Sequence, residues 1–163
     1  MPAMPSRGER APDFTLQSAP GRSLRLSDLG GHAVILAFYP ADWSPVCSDQ
    51  MALYQAAMPV FEEYGATMLG LSVDGCWCHQ AFAKSRNISF PLLADFEPKG
   101  TVSRRYGSYD ATSGVSQRNL FVIDPDGLVY WTHHSPDDVN PGADGILAAL
   151  DAMRGETAAG GLR

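Results

Sequence analysis

The sequence has few cysteines, few basic residues and no long apolar run. Its three cysteines are an odd number and too few for a disulfide scaffold, which indicates a cytoplasmic chain with at least one reactive thiol. The 12 Lys and Arg residues form no stripe and are outnumbered by 18 Asp and Glu residues, so nucleic acid is not an expected partner. The longest apolar run, Ala33 to Tyr39, is too short to span a membrane, and residues 1–10 lack the apolar core of a secretion signal.

Length and composition fit one compact domain. The chain has 163 residues, of which 45% are hydrophobic, and this is enough to build a core without disulfide bonds. No internal repeat or linker divides the sequence, so we expect a single domain over residues 1–163. Residues 1–10 are rich in Pro, Ser, Gly and Arg and predict a loosely held arm, and residues 155–163 predict a Gly/Ala tail that frays.

Apolar runs and helical periodicity alternate along the chain. Residues 33–39 are a continuous apolar run, typical of a strand buried on both faces, and residues 67–73 and 120–123 predict a second and a third buried strand. Shorter strands are expected at residues 14–16, 24–26, 91–93 and 128–132, the first two as an N-terminal hairpin. Helices are expected at residues 46–64, 77–86, 98–106 and 144–153, with a short helical turn at 27–31. This order predicts an α/β sandwich.

Pro40, Ser44 and Cys47 form the pattern P-x-x-x-S-x-x-C between a buried strand and the start of a helix. A thiolate at a helix N-terminus is stabilised by the positive end of the helix dipole and by free backbone N–H groups. The thiolate is the nucleophilic form of cysteine, so this position favours a reactive sulfur. Ser44 adds a hydroxyl one turn earlier that can donate a hydrogen bond at this site, and Pro40 stiffens the loop.

The run from Phe38 to Cys47 resembles the active-site signature of the peroxiredoxin family. Three further landmarks resemble the family in the same order, namely residues 11–14 upstream, residues 72–74 with 79–82, and residues 117–124 with Gly127. Together they cover about Ala11 to Thr132. The resemblance implies a thioredoxin-like α/β/α sandwich with a central mixed sheet and an N-terminal hairpin extension.

The resemblance also implies a thiol peroxidase that reduces hydrogen peroxide and organic hydroperoxides through a sulfenic acid. In that reading Cys47 is the peroxidatic cysteine, Ser44 its hydroxyl partner, Pro40 a shield and Arg118 the guanidinium that stabilises the thiolate and the leaving oxygen. The family most often has Thr where Ser44 stands, and it often has Glu where Gln50 stands. Because an amide can orient Arg118 but cannot neutralise it, we expect a more positive local field.

Cys76 and Cys78 are the candidates for a resolving cysteine. No cysteine follows Cys78, and the position five residues after Cys47 is Ala52, so a resolving residue, if there is one, is Cys76 or Cys78. The alternative is a one-cysteine enzyme that an external thiol recycles. Trp43, beside the active site, is expected to be either a lid on the peroxide pocket or part of the core.

No cofactor or metal is expected. The C-x-C-H run at residues 76–79 offers three zinc ligands, but closed zinc sites use four ligands and a C-x₂₋₄-C spacing. The fourth ligand would be His133 or His134, which we expect in a solvated loop after the last hairpin. The resemblance implies a peroxide substrate, a thioredoxin- or glutaredoxin-type reductant and a homodimer.

Two other functions compete with the peroxidase. A thioredoxin-like disulfide oxidoreductase needs a C-x-x-C pair, and Gln50 stands where its second cysteine would be. A redox-dependent chaperone or scaffold built from an oligomer is the third hypothesis.

Overall fold

The computed structural model describes residues 3–160, which form a central sheet with helices on both faces. The strands are β1 (Thr15–Ala19), β2 (Arg22–Arg25), β3 (Ala33–Phe38), β4 (Ala66–Ser72), β5 (Leu92–Ala94), β6 (Tyr109–Asp110), β7 (Val115–Ser116), β8 (Arg118–Ile123) and β9 (Val129–Ser135). The helices are α1 (Pro45–Glu63), α2 (Cys76–Arg86), α3 (Thr101–Arg105) and α4 (Asp144–Gly160), with a 3-10 helix at Leu26–Leu29. None of the helices in residues 3–160 is both long and apolar enough to cross a membrane.

Seven strands form the main sheet in the order β2-β1-β5-β4-β3-β8-β9. Strand β3 lies near the middle, parallel to β4 and antiparallel to β8, so the sheet is mixed. Strands β1 and β2 form the N-terminal hairpin, and β1 adds it to the sheet through an antiparallel contact with β5. The predicted α/β sandwich with a central mixed sheet and an N-terminal hairpin is therefore confirmed.

Two apolar clusters fill the space on the two faces of the sheet. Helices α1, α2 and α4 pack on one face, to which they contribute Tyr54, Phe61, Phe82, Ile146 and Leu150. The 3-10 helix, α3 and the N-terminal segment cover the other face with Leu26, Val102, Tyr106 and Phe14. All six side chains of β3 are buried, as the continuous apolar run predicts for a central strand.

Gly70 in β4 leaves room for the side chains of Leu92 and Tyr39 to pack on the sheet. A Cβ atom at this position would stand 2.8 Å from Leu92 Cδ2, 3.3 Å from Tyr39 Cε1 and 3.6 Å from Met51 Sδ of α1. A side chain here would displace the end of the Leu92 side chain of β5 and crowd the ring of Tyr39, while Met51 of α1 stands at ordinary contact distance.

Both chain ends carry contacts or helical structure that the sequence pattern does not predict. Residues 3–10 are not a loosely held arm, because Gly8 N donates to Val129 O and Val129 N donates to Glu9 O. At the other end, α4 continues to Gly160 rather than fraying from Gly155. Residues 1, 2 and 161–163 of the predicted flexible ends lie outside the described residues.

His133 and His134 lie in β9 rather than in the solvated loop that the sequence predicts. The ring of His133 stacks on Trp131 with the centroids 5.7 Å apart, and His134 Nδ1 lies 2.6 Å from Asn119 Oδ1 of β8. The pairing of β9 with β8 therefore extends farther than the apolar run to Thr132 indicates, because the backbone ladder accepts polar side chains that face solvent.

Candidate active site

The sheet register brings Arg118 to the start of α1. Strands β3 and β8 are antiparallel and pair Ala37 with Leu120, so Arg118, two residues before Leu120, lies at the end where β3 leads into α1. Cys47 is in the first turn of α1 at the same end. The distance from Arg118 Nη1 to Cys47 Sγ is 3.2 Å. Two residues that are 71 positions apart in the sequence are thus in contact.

Ser44 is the N-cap residue of α1. Its backbone is extended, with φ −65° and ψ 145°, and its Oγ accepts a hydrogen bond from the backbone N of Cys47 at 3.4 Å. Pro45 follows as the first helical residue, where the missing N–H costs no hydrogen bond. The cap fixes the turn that carries Cys47 and leaves the hydroxyl proton of Ser44 able to donate to another oxygen.

Arg118 is a buried cation held by neutral oxygens. Its side chain is 1% exposed, and Cys47 is fully buried beside it. Nη1 donates to Gln50 Oε1 at 2.8 Å, while Nε and Nη2 donate to the backbone O of Asp137 at 3.2 and 2.7 Å. The expected contact between Gln50 and Arg118 is therefore present.

No carboxylate of the described residues lies within ion-pair distance of Arg118. Among the described residues, Arg7 pairs with Glu156, and His79 lies 2.7 Å from Asp42. Burying a charge is costly unless an opposite charge accompanies it. The sulfur of Cys47, which contacts the guanidinium directly, is the atom that can supply that charge as a thiolate.

Gln50 is itself held by Tyr54, one turn farther along α1. Gln50 Nε2 donates to Tyr54 Oη at 2.9 Å, and Tyr54 Oη donates to the backbone O of Gly142 at 3.2 Å. Burial raises the pKa of Tyr54 well above its ordinary value, so the hydroxyl keeps its proton and acts as a donor. Gly142 lies in the segment between β9 and α4 that also provides the carbonyl of Asp137.

Pro40 and Trp43 lie in the loop between β3 and α1. Pro40 lies two residues after the end of β3 and is half-buried, and its role as a shield of the site stays a prediction. Trp43 has a positive φ of 72° and is 48% exposed. Its ring packs edge-on against Phe82 of α2 with the centroids 5.3 Å apart. Trp43 therefore covers Phe82 and is too exposed to be part of the core, and its role as a lid on the peroxide pocket stays a prediction.

The loop before α1 is fixed to α2 by a buried Asp42–His79 pair. His79 Nδ1 lies 2.7 Å from Asp42 Oδ2, and His79 Nε2 lies 3.0 Å from the carbonyl O of Leu93. A carbonyl can only accept, so Nε2 carries a proton. The hydroxyl of Tyr39 donates to Asp42 Oδ1 at 2.7 Å, and Asp42 N donates to Asp74 Oδ2 at 2.9 Å.

Cys76 and Cys78 lie at the start of α2. Both are free thiols and half-buried, whereas Cys47 is a free thiol that is buried. Cys78 Sγ is 4.0 Å from Asp74 Oδ1. The pKa of Cys78 is raised to about 11, mainly by burial and in addition by the nearby carboxylates of Asp42 and Asp74. The thiol form of Cys78 is thus strongly favoured at neutral pH.

The residues of the C-x-C-H run do not gather around one point. His79 is turned into the protein and is bound to Asp42 and Leu93. Among the described residues, the side chains with ligand atoms close enough to share a metal ion are Asp42, Asp74 and Cys78, within 4.8 Å of one another. The oxygens of Asp42 already accept from Tyr39 and pair with His79, so this group is occupied by internal hydrogen bonds.

Sequence reasoning did not find Tyr54, Asp137 or Gly142. Tyr54 has helical spacing with Met51 and Met58 and therefore fits an ordinary core position. Asp137 and Gly142 act through their backbone carbonyls, for which the sequence has no signal. The proximity of Asp42 to His79 depends on the parallel pairing of β3 with β4, which places the ends of both strands side by side.

Comparison with known proteins shows similarity over most of the chain. A family model described as the AhpC/TSA family matches residues 7–132. The chain is 31% identical to Peroxiredoxin 2 of Thermoplasma acidophilum over 153 residues, which cover 90% of this chain and 75% of the relative. It is 32% identical to alkyl hydroperoxide reductase E of Mycobacterium tuberculosis over 123 residues, which cover 75% of this chain and 80% of the relative.

Solved structures resemble the fold over almost its whole length. The crystal structure of Enterococcus faecalis AhpC aligns with a TM-score of 0.85 and 26% identity, covering 96% of this chain and 97% of that one. Peroxidoxin BcpB from Mycobacterium tuberculosis aligns with a TM-score of 0.83 and 32% identity, covering 92% of this chain and 99% of that one.

Proposed function

The chain belongs to the AhpC/TSA family and is a peroxiredoxin, a thiol peroxidase that reduces peroxides; from this we propose that Cys47 is the peroxidatic cysteine, with Arg118, Ser44 and Pro40 around it. The substrates we propose are hydrogen peroxide and organic hydroperoxides. The observation that carries the assignment of residues is the 3.2 Å contact between the buried Arg118 guanidinium and the buried Cys47 sulfur.

In the proposed reaction the Cys47 thiolate attacks one oxygen of ROOH. A sulfur–oxygen bond forms, the oxygen–oxygen bond breaks, and RO⁻ leaves and takes a proton to become ROH. The sulfur is oxidised by two electrons to a sulfenic acid, and the peroxide is reduced by the same two. Arg118 faces the charge that moves from sulfur to the leaving oxygen, and the free proton of the Ser44 hydroxyl can bind that oxygen.

The test of this assignment is peroxide consumption by Cys47→Ser with a dithiol as reductant. We expect the activity to fall to background, because a hydroxyl in place of the thiol is not ionised at neutral pH. Cys76→Ser and Cys78→Ser are matched controls that remove one sulfur each. A Cys47→Ser variant that keeps its activity would show that the reaction takes place at another residue.

We further propose that the enzyme uses one cysteine and an external thioredoxin- or glutaredoxin-type thiol. A resolving thiol must attack the sulfenic acid as a thiolate, and the raised pKa of Cys78 works against this. The alternative is the atypical two-cysteine class.

Disulfide mapping separates the two classes. The reduced protein is treated with one equivalent of peroxide, digested without reductant and analysed by mass spectrometry. The one-cysteine class predicts an unpaired oxidised Cys47 peptide. A Cys47–Cys76 or Cys47–Cys78 peptide as the main product would instead assign the two-cysteine class and name its resolving residue.

We propose that the protein is a cytoplasmic homodimer whose interface includes an aromatic patch made of Trp43, Trp77 and Phe96. These side chains are 48%, 71% and 58% exposed. Phe96 lies against Gly75 at the start of α2, and Trp43 packs on Phe82 of the same helix, so the patch borders α2. Exposed apolar patches of this kind are typical of binding surfaces.

Light scattering tests the dimer. We expect a dimer mass for the native protein and a monomer mass for Trp77→Lys, because a charge at the centre of an apolar interface is costly. Val139→Lys, at an exposed apolar residue outside the patch, is the control and should remain a dimer. A native protein that is monomeric at all concentrations would exclude the proposal.

A further inference from the structure

We propose that Tyr54 is a positioning residue that fixes the direction of the Gln50 amide and thereby holds Arg118 against the Cys47 sulfur. The proposal rests on the proposed function of Cys47 and Arg118 and adds a residue to it. Tyr54 touches neither the sulfur nor the guanidinium in any hydrogen bond of the described structure, so it acts through Gln50.

A series of hydrogen bonds links the Gln50 amide through the Tyr54 hydroxyl to the Gly142 carbonyl, and this carbonyl fixes the direction of each bond in the series. The carbonyl of Gly142 can only accept, so the hydroxyl of Tyr54 must donate to it. A hydroxyl has one proton, so the oxygen of Tyr54 must accept from the other side. The group on that side is Gln50 Nε2, at 2.9 Å, which can only donate.

The amide of Gln50 is then oriented with its oxygen toward Arg118. Oε1 accepts from Arg118 Nη1 at 2.8 Å, and the same Nη1 is 3.2 Å from Cys47 Sγ. If the amide were reversed, its NH₂ group would face the guanidinium, and two donors would oppose each other in a buried site. Tyr54 and Gln50 are fully buried, so water does not compensate for a reversed amide.

The side chain at position 50 needs a fixed orientation because it is an amide. The two ends of an amide differ, whereas both oxygens of a carboxylate accept hydrogen bonds. With Glu at this position, either oxygen could bind Arg118, and the tyrosine hydroxyl would not be needed to choose between them. The effect of removing the Tyr54 hydroxyl therefore depends on the residue at position 50, and this dependence distinguishes positioning from simple packing.

The experiment is a double-mutant cycle on the rate constant for oxidation of Cys47 by hydrogen peroxide, measured by stopped flow. We expect Tyr54→Phe to lower the rate constant about tenfold when Gln50 is present, from the loss of one hydrogen bond that orients a charged group. In the Gln50→Glu background we expect the same substitution to lower it less than about threefold.

Tyr106→Phe is the matched control. Tyr106 is also a fully buried tyrosine whose hydroxyl donates to a backbone carbonyl, that of Pro12, at 2.6 Å, but it lies in the cluster on the opposite face of the sheet. We expect its removal to lower the melting temperature and to leave the rate constant unchanged in both backgrounds.

Equal losses in the two backgrounds, or no loss in either, would overturn the proposal while leaving the peroxidase assignment intact. If Tyr54→Phe does not fold, recovery of folding by Gln50→Glu supports the relay, because the unsatisfied amide is then the cause. Failure of both variants to fold would assign Tyr54 a packing role only. A different result would contradict the proposed function, namely that Cys47→Ser still consumes peroxide.

Discussion

At the scale of single residues, the proposed active site is notable for the small number of charged groups that it contains. Arg118 is buried among neutral oxygens, and the sulfur of Cys47 is the group in contact with it that can become an anion. The sequence predicted Cys47, Ser44 and Gln50 because they stand at fixed spacings in one motif. It predicted Arg118 because this residue stands in a later landmark that follows in the right order. Tyr54 was not predicted, since its role depends on contacts with residues far away in the sequence.

Cys78 offers a test of the local electrostatics. Its pKa is raised to about 11, so the folded state favours the thiol, and this preference is lost as the pH rises through that value. We expect iodoacetamide to modify Cys78 in the native protein slowly at pH 8, with the rate rising about tenfold per pH unit toward pH 11. Mass spectrometry of the Cys78 peptide measures the rate.

Asp74→Asn provides the control for the Cys78 prediction. Because it removes one of the two carboxylates that raise the pKa, the variant should react faster than the native protein at pH 8. A native rate at Cys78 that equals the rate in unfolded protein would contradict the predicted environment.

At the scale of elements, the N-terminus of α1 and the pair that anchors the preceding loop hold the site together. The bounds of α1 and the buried strands were predictable, because an apolar run and a proline-containing loop mark them. The extension of α4 to Gly160 and the docking of residues 3–10 were not predictable. The docking of residues 3–10 depends on tertiary contacts, such as the backbone hydrogen bonds of Gly8 and Glu9 with Val129, which the local sequence pattern does not reveal.

The cap of α1 can be tested with Ser44→Ala. The variant removes the oxygen that accepts from Cys47 N, and we expect a loss of about 1 kcal/mol in the free energy of unfolding. This corresponds to a fall of about 2–4 °C in the melting temperature, measured by calorimetry. Ser44→Thr keeps the hydroxyl and should restore most of the stability; equal losses in both variants would argue against a capping role.

The Asp42–His79 pair can be tested with His79→Phe. Removing one partner leaves the buried carboxylate of Asp42 without its partner, and we expect a loss of about 3–5 kcal/mol in the free energy of unfolding. Urea unfolding measures it. His133→Phe, at an exposed histidine of β9, is the control and should change the stability little. A small loss in His79→Phe would mean that the pair does not anchor the loop.

At the scale of the whole molecule, the sheet order explains why the site exists. Strand β8 enters the sheet next to β3 and antiparallel to it, and only this arrangement brings the start of β8 to the start of α1. Periodicity predicted the strands but not their order, because strand pairing joins residues that are distant in sequence. The order was accessible through the resemblance to the peroxiredoxin family, which covered about Ala11 to Thr132.

The most direct test is to trap the sulfenic acid. The reduced protein is mixed with one equivalent of hydrogen peroxide in the presence of dimedone, which binds sulfenic acids, and each cysteine peptide is quantified by mass spectrometry. Peroxide reduction at Cys47 predicts one dimedone group per chain, located on Cys47, and a much slower reaction in Arg118→Met. Dimedone on Cys76 or Cys78 with Cys47 unmodified, or an unchanged rate in Arg118→Met, would contradict it.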